Sequence, residues 1–307
     1  MAANEATCHF KFQALPQFFK NYSEKAQKDS SFRATTLPGL GLIDRPYNTD
    51  GKSKKEIKHK DMDGQPWKRF KAYVENLNKQ DPDTSYKVLY ITRHGFGYHN
   101  AFMSKVSSES WNDHWSHLDG DGKVTWADSR LDQEGLEQAT VLGQFWIDAV
   151  ANDKIPIPET IYSSPLTRCL ETTRLVFSKA MKAQGAQFQP IVKELLRERL
   201  TNHTCDRRSS QSWIKEQFSE FAVEPGFSEE DVLWSAERSE SAEDHLARKQ
   251  RVLEDIFASD ENQFIALTTH SYAISAILGV IGLPGFRVRE GSSIAILVKG
   301  ERVTKDI

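Results

Sequence analysis

The segment Val88-Leu-Tyr-Ile-Thr-Arg-His-Gly-Phe-Gly-Tyr-His-Asn100 decides the fold of this 307-residue chain. Its first four residues are apolar and strand-forming, and the run then ends in polar residues and a glycine. Such a run predicts a buried strand that delivers side chains to its carboxyl edge, where open α/β sheets build their sites. We therefore expect Arg93 and His94 to lie there as a cation and a potential nucleophile. Gly95 and Gly97 allow the backbone to turn tightly and to approach a ligand closely.

The overall composition is typical of a soluble globular protein, with 38% hydrophobic and 27% charged residues. The net charge of −3 gives no general attraction to nucleic acid. No stretch approaches the roughly 20 apolar residues of a membrane helix, and the first residues lack the pattern of a signal peptide. The cysteines (Cys8, Cys169 and Cys205) are too few and too scattered for a disulfide framework or a zinc site. We expect a cytoplasmic protein that binds neither nucleic acid nor a membrane.

Residues 1–83 are expected to form an extension that packs on the core, and residues 84–307 the main domain. Aromatic residues are frequent near the start of the chain, which favours packing over a free tail: Phe10, Phe12, Phe18, Phe19 and Tyr22. Residues 67–77 carry apolar residues at helical spacing and predict an amphipathic helix that leads into the first strand. The basic run at residues 52–60 indicates a solvated loop or helix start, with a nuclear-targeting sequence or a polyanion-binding patch as the alternatives.

A second strand is predicted at residues 160–164, followed by a helix. Pro165 is expected in the first turn of that helix, where its missing N–H costs nothing. Arg168 then lies close to a helix N-terminus at the carboxyl edge of a strand, which suits an anion. Asp132 is a good N-cap for the helix that precedes this unit.

A third and a fourth strand also end in polar residues. Residues 190–198 are predicted to form a strand that delivers Glu198 to its end. Glu194 is an alternative acid, because even spacing along a strand would put both carboxyl groups on one face. Residues 264–269 predict a buried strand that ends at His270 and Ser271, after which residues 272–281 form an apolar helix; a last strand is predicted at residues 292–299.

Two polar clusters lie between these units. Asp206, Arg207 and Arg208 either line the substrate pocket or cap the helix predicted near residues 211–218, and the sequence leaves both interpretations open. His114 and His117 are three residues apart, so on a helix they would share a face and could bind a metal. No third ligand completes such a site. We therefore interpret the segment as a pocket rim or as simple packing, and expect no metal and no cofactor.

Taken in order, these motifs resemble the histidine phosphatase superfamily, which has the phosphoglycerate-mutase-like fold. The resemblance covers about residues 86–300. It implies an α/β fold with a mostly parallel central sheet flanked by helices on both faces. It also implies that His94 attacks phosphorus, that Glu198 carries protons and that His270 completes the catalytic set. The residues expected to bind phosphate are Arg93, Asn100, Arg168 and His270, with substrate contacts from Asp206, Arg208 and Ser271.

The expected function is a metal-independent phosphomonoesterase that acts on a small phosphorylated metabolite through a phosphohistidine intermediate. Arginines would neutralise the phosphoryl charge, as magnesium does in other phosphoryl-transfer enzymes. Residues 200–208 depart from the continuation that the resemblance implies for mutases, so hydrolysis is favoured over transfer to a second hydroxyl. The alternatives are a phosphoglycerate-type phosphomutase and a phospho-ligand-binding protein with little catalysis. The identity of the substrate and the oligomeric state stay open at this point.

Overall fold

A computed structural model describes residues 9–49 and 65–303, so the basic run at residues 52–60 and Cys8 lie outside the described residues. The strands are β1 (His9–Ala14), β2 (Arg33–Ala34), β3 (Thr84–Arg93), β4 (Thr160–Ser163), β5 (Ile191–Val192), β6 (Ala222–Val223), β7 (Phe264–Thr269), β8 (Arg287–Val288) and β9 (Ser293–Val303). The α-helices are α1 (Ser23–Lys28), α2 (Pro66–Leu77), α3 (Tyr98–Met103), α4 (Ser108–Asp113), α5 (Gln133–Asp148), α6 (Thr167–Ala183), α7 (Gln211–Gln217), α8 (Ala242–Ser259) and α9 (Ser271–Val280).

The central sheet has seven strands in the order β1-β9-β3-β7-β4-β5-β6. Strands β3, β7, β4, β5 and β6 run parallel to one another. Strand β9 runs antiparallel to both β3 and β1. The predicted fold class, α/β with a mostly parallel central sheet, is therefore confirmed. Within the described residues, no helix is both long enough and apolar enough to cross a membrane.

Strand β3 contributes to two apolar layers because successive side chains of a strand point to opposite faces. Val88 and Tyr90 belong to a cluster with residues of α2, α5 and α6. Leu89 and Ile91 belong to a second cluster with residues of α8 and α9. Helices thus cover both faces of the sheet, and β3, which ends at Arg93, is buried from both sides.

The N-terminal segment supplies an edge strand to the sheet. In β1, Phe10, Phe12 and Ala14 are buried and Lys11 is exposed, which is the alternation of a strand with one face on the core. Helix α2 forms where the apolar spacing predicted it, and Trp67, Phe70 and Val74 make its buried face. The predicted division into an extension at residues 1–83 and a main domain at residues 84–307 stays a prediction.

Two local predictions are wrong. Residues 190–198 do not form one strand, because β5 ends at Val192 and a short 3-10 helix spans Glu194–Leu196. The Glu194 N–H donates to a Glu224 carboxylate oxygen at 2.6 Å instead of continuing the strand pairing with β6. The even-spacing argument for Glu194 is therefore wrong. Helix α6 has Leu166 as its N-cap, so Pro165 precedes the helix rather than lying in its first turn.

Candidate active site

Strands β3, β7 and β4 end together at one edge of the sheet. The His94 N–H donates to the Thr269 carbonyl at 3.0 Å, and the Ser164 N–H donates to the Thr268 carbonyl at 3.0 Å. A cavity of about 350 Å³ opens at this edge. Most of the predicted site residues line it: Arg93, His94, Asn100, Arg168, Glu198, Asp206 and Ser271. Residues from five separate segments of the chain thus meet at one place.

A hydrogen bond to the main chain determines which ring nitrogen of His94 carries the proton. Its Nδ1 lies 2.7 Å from the carbonyl oxygen of Gly95. A carbonyl only accepts hydrogen bonds, so Nδ1 carries the proton and Nε2 keeps its lone pair. Burial, followed by the positive charges of Arg168 and Arg93, holds the pKa of His94 well below its ordinary value. The neutral imidazole that attack on phosphorus requires is therefore the resting form near neutral pH.

The main chain around His94 is packed without room for side chains. A Cβ atom on Gly95 would lie 2.6 Å from the carbonyl oxygen of Gly135, and one on Gly135 would lie 1.9 Å from the Phe96 carbonyl oxygen. The Gly95 N–H donates to the Thr172 hydroxyl at 3.0 Å. Gly95 is thus needed for close approach to α5.

Both predicted phosphate-binding arginines are buried and held by protein oxygens. Arg93 donates from Nη1 to the Val288 carbonyl at 2.8 Å and pairs with Glu290 at 2.6 Å. Arg168 donates to the Cys205 carbonyl at 2.7 Å and pairs with Asp206 at 3.3 Å. These contacts fix the two guanidinium planes before any ligand arrives, which reduces the entropy cost of binding an anion.

Asn100 lines the cavity and is fixed through its side-chain oxygen. Its side-chain oxygen accepts the Gly97 N–H at 3.1 Å, which closes the first turn of α3. Since the oxygen is occupied, the NH₂ group is the part left to a ligand. Asn100 can therefore offer a hydrogen-bond donor without adding charge.

Glu198 lies at the N-terminus of α9. Its carboxylate accepts the N–H groups of Tyr272 at 3.1 Å and Ala273 at 2.8 Å, and the side chain lines the cavity. Its backbone carbonyl accepts from Arg248 at 2.7 Å. Lys249 donates to the Leu195 carbonyl at 2.6 Å in the same loop. The loop that carries the carboxyl group is thus held by hydrogen bonds from two buried side chains of α8, Arg248 and Lys249.

Glu194 and Arg208 are paired with each other away from the cavity. Glu194 accepts from Arg197 at 2.9 Å and from Arg208 at 2.8 Å, and it does not line the cavity. The other donors of Arg208 bond to carbonyl and hydroxyl oxygens of residues 209 and 228–230. The structure therefore does not bring Arg208 to the predicted substrate contact, because its hydrogen-bonding capacity is used within the fold.

His270 lies behind Arg168 rather than on the cavity wall. Its Nδ1 accepts from Arg168 Nε at 3.3 Å, and its Nε2 lies 2.8 Å from the Ser164 hydroxyl. The side chain is completely buried and does not line the cavity. In this arrangement the ring orients the Arg168 guanidinium, and a direct contact between His270 and phosphate stays a prediction.

Asp206 and Ser271 are both at the cavity, as predicted. Asp206 accepts from Arg168 and, at 2.6 Å, from the Thr201 hydroxyl. Burial raises the pKa of this carboxyl group, although Arg168 opposes the shift. Ser271 is the first residue of α9, and its hydroxyl accepts from Arg287. Helix α7 is capped by Ser210, so neither Asp206 nor Arg208 has the alternative capping role.

The sequence reasoning missed several residues that line the cavity: His99, Arg199, His203, Tyr272 and Arg287. Two of them carried a local signal, since His99 precedes Asn100 within the motif and Arg199 follows Glu198. Arg287 carried no local signal, because only the position of β8 brings it to the cavity. There its guanidinium lies 4.5 Å from the centre of the Tyr272 ring.

His114 and His117 do not share a helix face. Helix α4 ends at Asp113, His114 is the residue that follows it, and His117 belongs to a separate 3-10 turn. The assumption that His114 and His117 lie on one helix, on which the metal interpretation depended, is therefore wrong. Within residues 9–49 and 65–303, no group of three or more His, Cys, Asp or Glu side chains could hold a metal ion.

We expect the folded protein to lose stability as the pH falls below about 6.5, the ordinary histidine pKa. Burial is the largest cause of the lowered pKa in five histidines: His94, His99, His203, His270 and His245, the last to about 2. Below pH 6.5 the unfolded chain binds protons that the folded chain does not bind. The free energy of unfolding should then fall by up to about 1.4 kcal/mol per pH unit for each histidine.

Urea unfolding at pH 7.5, 6.5 and 5.5 measures this slope. The raised pKa of Asp206 acts in the opposite direction, because its carboxyl group takes up a proton more readily in the folded state. His245→Gln should reduce the dependence of the free energy of unfolding on pH by the contribution of one histidine. A free energy of unfolding that stays constant between pH 7.5 and 5.5 would contradict the prediction.

Comparison with known proteins places the chain in a family. The model of the histidine phosphatase superfamily (branch 1) matches residues 114–292, a span that contains Arg168, Glu198 and His270 and begins after Arg93 and His94. A relative from Arthroderma benhamiae named "Probable phosphoglycerate mutase" is 43% identical over 267 residues, covering 87% of this chain and 78% of the relative.

Two further similarities are weaker. A Saccharomyces cerevisiae protein named "Probable phosphoglycerate mutase PMU1" is 30% identical over 250 residues, which cover 76% of this chain and 85% of that protein. The solved structure of an alpha-ribazole phosphatase from Shigella flexneri is 18% identical with a TM-score of 0.43, and the match covers 68% of this chain and 89% of that one. A similarity as low as the last supports no statement about function.

Proposed function

The chain belongs to the histidine phosphatase superfamily, and we propose that it is a metal-independent phosphomonoesterase that acts through a phosphohistidine on His94. The observation that carries this proposal is the state of the His94 ring. Its Nδ1–H is held by the Gly95 carbonyl, its pKa is lowered by burial and by two arginines, and its Nε2 is free to attack. A buried, neutral imidazole between Arg93 and Arg168 is suited to nucleophilic attack on an anionic phosphate ester.

The reaction has two steps. In the first, the Nε2 lone pair of His94 forms a bond to phosphorus, the bond from phosphorus to the ester oxygen breaks, and Glu198 gives its proton to the departing oxygen. The Nδ1–H bond to the Gly95 carbonyl stabilises the positive charge that forms on the ring. In the second step Glu198 removes a proton from water, the water oxygen bonds to phosphorus, and the bond to Nε2 breaks. Inorganic phosphate leaves and Glu198 is protonated again.

The substrate is proposed to be a small phosphorylated metabolite. A cavity of about 350 Å³ is near the lower end of the range for ligand pockets and leaves room for a compact leaving group. Beyond Arg93 and Arg168, the side chains of Arg199 and Arg287 also line the cavity. Their positive charge would favour a leaving group that carries an anionic group of its own.

The alternative is a phosphomutase, in which a second hydroxyl replaces water as the acceptor. The names of the relatives from Arthroderma benhamiae and Saccharomyces cerevisiae favour this alternative. Both activities share the first step and the same phosphohistidine. They differ in product, because hydrolysis releases inorganic phosphate whereas a mutase returns an isomer of its substrate. A phospho-ligand-binding protein would give neither product.

We expect phosphate release from a panel of phosphorylated metabolites to survive EDTA and to be blocked by vanadate. The proposed pocket neutralises phosphoryl charge with arginine side chains, and vanadate resembles the five-coordinate phosphorus of the transition state. The measurement is inorganic phosphate with and without chelator, and product analysis of each reaction distinguishes isomerisation from hydrolysis.

Three results would contradict the proposal. Loss of activity on chelation that a divalent ion restores would require a metal-dependent mechanism. An isomerised substrate without free phosphate would establish the mutase. If no substrate were turned over while vanadate still bound, the chain would be a phospho-ligand-binding protein.

A further inference from the structure

His99 lies within the cavity beside the proposed nucleophile. It is the second residue of α3, directly before Asn100, and only 7% of the residue is exposed. Its ring centroid is 5.8 Å from that of His94, and the side chain lines the same cavity as Arg93 and Arg168. The proposed mechanism does not use this imidazole.

The contacts of the ring determine which nitrogen can meet a ligand. The Nδ1 atom is buried and has no hydrogen-bond partner in the part of the chain that the structure describes. Its Nδ1–Cε1 edge packs against Gly97, where a Cβ atom would lie 2.8 Å from Nδ1. Because no oxygen of the described residues is placed to accept a hydrogen bond from Nδ1, a proton there would be a buried donor without an acceptor. Such donors are rare in folded proteins. The proton of neutral His99 therefore belongs on Nε2, which is left to the cavity.

The charge state of His99 suits an anion site that already contains two arginines. Burial, followed by Arg168, His94 and Arg93, holds its pKa well below the ordinary value. A neutral ring adds a hydrogen-bond donor without adding repulsion between cations. An apolar side chain of similar size would pack in the same space and would supply no donor.

We propose that His99 is a further phosphoryl-binding residue, whose Nε2–H donates to an oxygen of the phosphoryl group while that group is at His94. The proposal rests on the phosphohistidine chemistry proposed above, in its hydrolase or its mutase form. It gives Gly97 a role as well, since the absence of a Cβ atom there allows the ring to reach this position. His99 would thus act beside Asn100 as a second uncharged donor.

The test measures binding of orthovanadate and of inorganic phosphate by titration calorimetry, independently of turnover. His99→Leu should weaken the affinity for both anions by about 10- to 100-fold, the range for loss of one hydrogen bond to a charged group. His99→Gln can place an amide N–H near the position of Nε2 and should keep most of the affinity. The matched control is His245→Gln, because His245 is also buried, has an unpartnered Nε2 and does not line the cavity. That variant should bind both anions as wild type does.

A His99→Leu variant that is folded and binds vanadate with wild-type affinity would overturn the proposal, and so would equal losses in the leucine and glutamine variants. If the leucine variant does not fold, the ring nitrogens of the ¹⁵N-labelled wild type provide the measurement, assigned by comparison with His99→Gln. The Nε2 signal of His99 should shift on addition of vanadate, and an unchanged signal at saturation would overturn the proposal. If wild type binds vanadate but turns over no ester, the proposed function fails while the affinities still decide the role of His99.

Discussion

His94→Ala should abolish turnover, with a loss of at least about four orders of magnitude in kcat, because removing the nucleophile removes the covalent route altogether. Wild type that is quenched during turnover of a ³²P-labelled substrate should carry phosphate that is labile in acid and stable in base, as a phosphoramidate is. The variant should carry none. The measurement is the stability of the label together with peptide mapping to residue 94.

The matched control is His117→Ala, because His117 is exposed and does not line the cavity. It should retain both turnover and labelling. Label on a serine or on a carboxylate would end the phosphohistidine mechanism. Residual turnover above about one part in a hundred in His94→Ala would show that water attacks phosphorus directly, with His94 acting only as a binding group.

The secondary-structure predictions around the site that the structure confirms are those that local signals determine. A short run of strand-forming apolar residues that ends in Arg93 and His94 favours a buried strand, which places its polar end at the sheet edge. Asp132 caps α5 through a bond from the Gly135 N–H at 2.9 Å, and this needs only residues three apart. Strand β7, His270 and α9 follow one another in the same way. Each of these interactions spans a few residues and can be read from the chain.

The wrong predictions concern residues whose position depends on distant partners. The strand predicted at residues 190–198 stops because Glu224, thirty residues later, accepts the Glu194 N–H. Arg208 is drawn away from the cavity by oxygens of residues 228–230. The sequence pattern of residues 190–208 does not predict those contacts. A short 3-10 turn also cannot be distinguished by composition from the end of a strand.

Strand β1 could have been predicted from the local sequence pattern, but its pairing with β9 could not. The alternation Phe10-Lys11-Phe12 has the period of a half-buried strand, and β1 could have been predicted from it. Its pairing with β9 joins residues almost three hundred positions apart and is invisible to local patterns. Arg287 is hidden for a related reason, because β8, which carries it to the cavity, pairs with β2 at Arg33, far earlier in the chain.

Glu198 is the carboxyl group that the geometry favours as proton carrier, and its substitution should have the second-largest effect. The side chain lines the cavity and is fixed by the N–H groups of Tyr272 and Ala273 at the start of α9. In Glu198→Gln, the amide oxygen can still accept one of these N–H groups, so the position of the side chain is largely kept while the transferable proton is lost. The variant therefore separates proton transfer from positioning, which Glu198→Ala would not do.

The effect of Glu198→Gln should depend on the leaving group. An alkyl phosphate expels a strongly basic alkoxide that needs a proton, so we expect its phosphoenzyme to form on the order of 100- to 10,000-fold more slowly. A nitrophenyl phosphate expels a weakly basic phenoxide and should be slowed much less. The comparison uses the pre-steady-state burst, because Glu198 also activates water in the breakdown of the phosphoenzyme. Equal damage to both bursts would show that Glu198 positions the phosphate. Glu194→Gln is the control: it weakens the pairing with Arg197 and Arg208 and should reduce stability without any dependence on the leaving group.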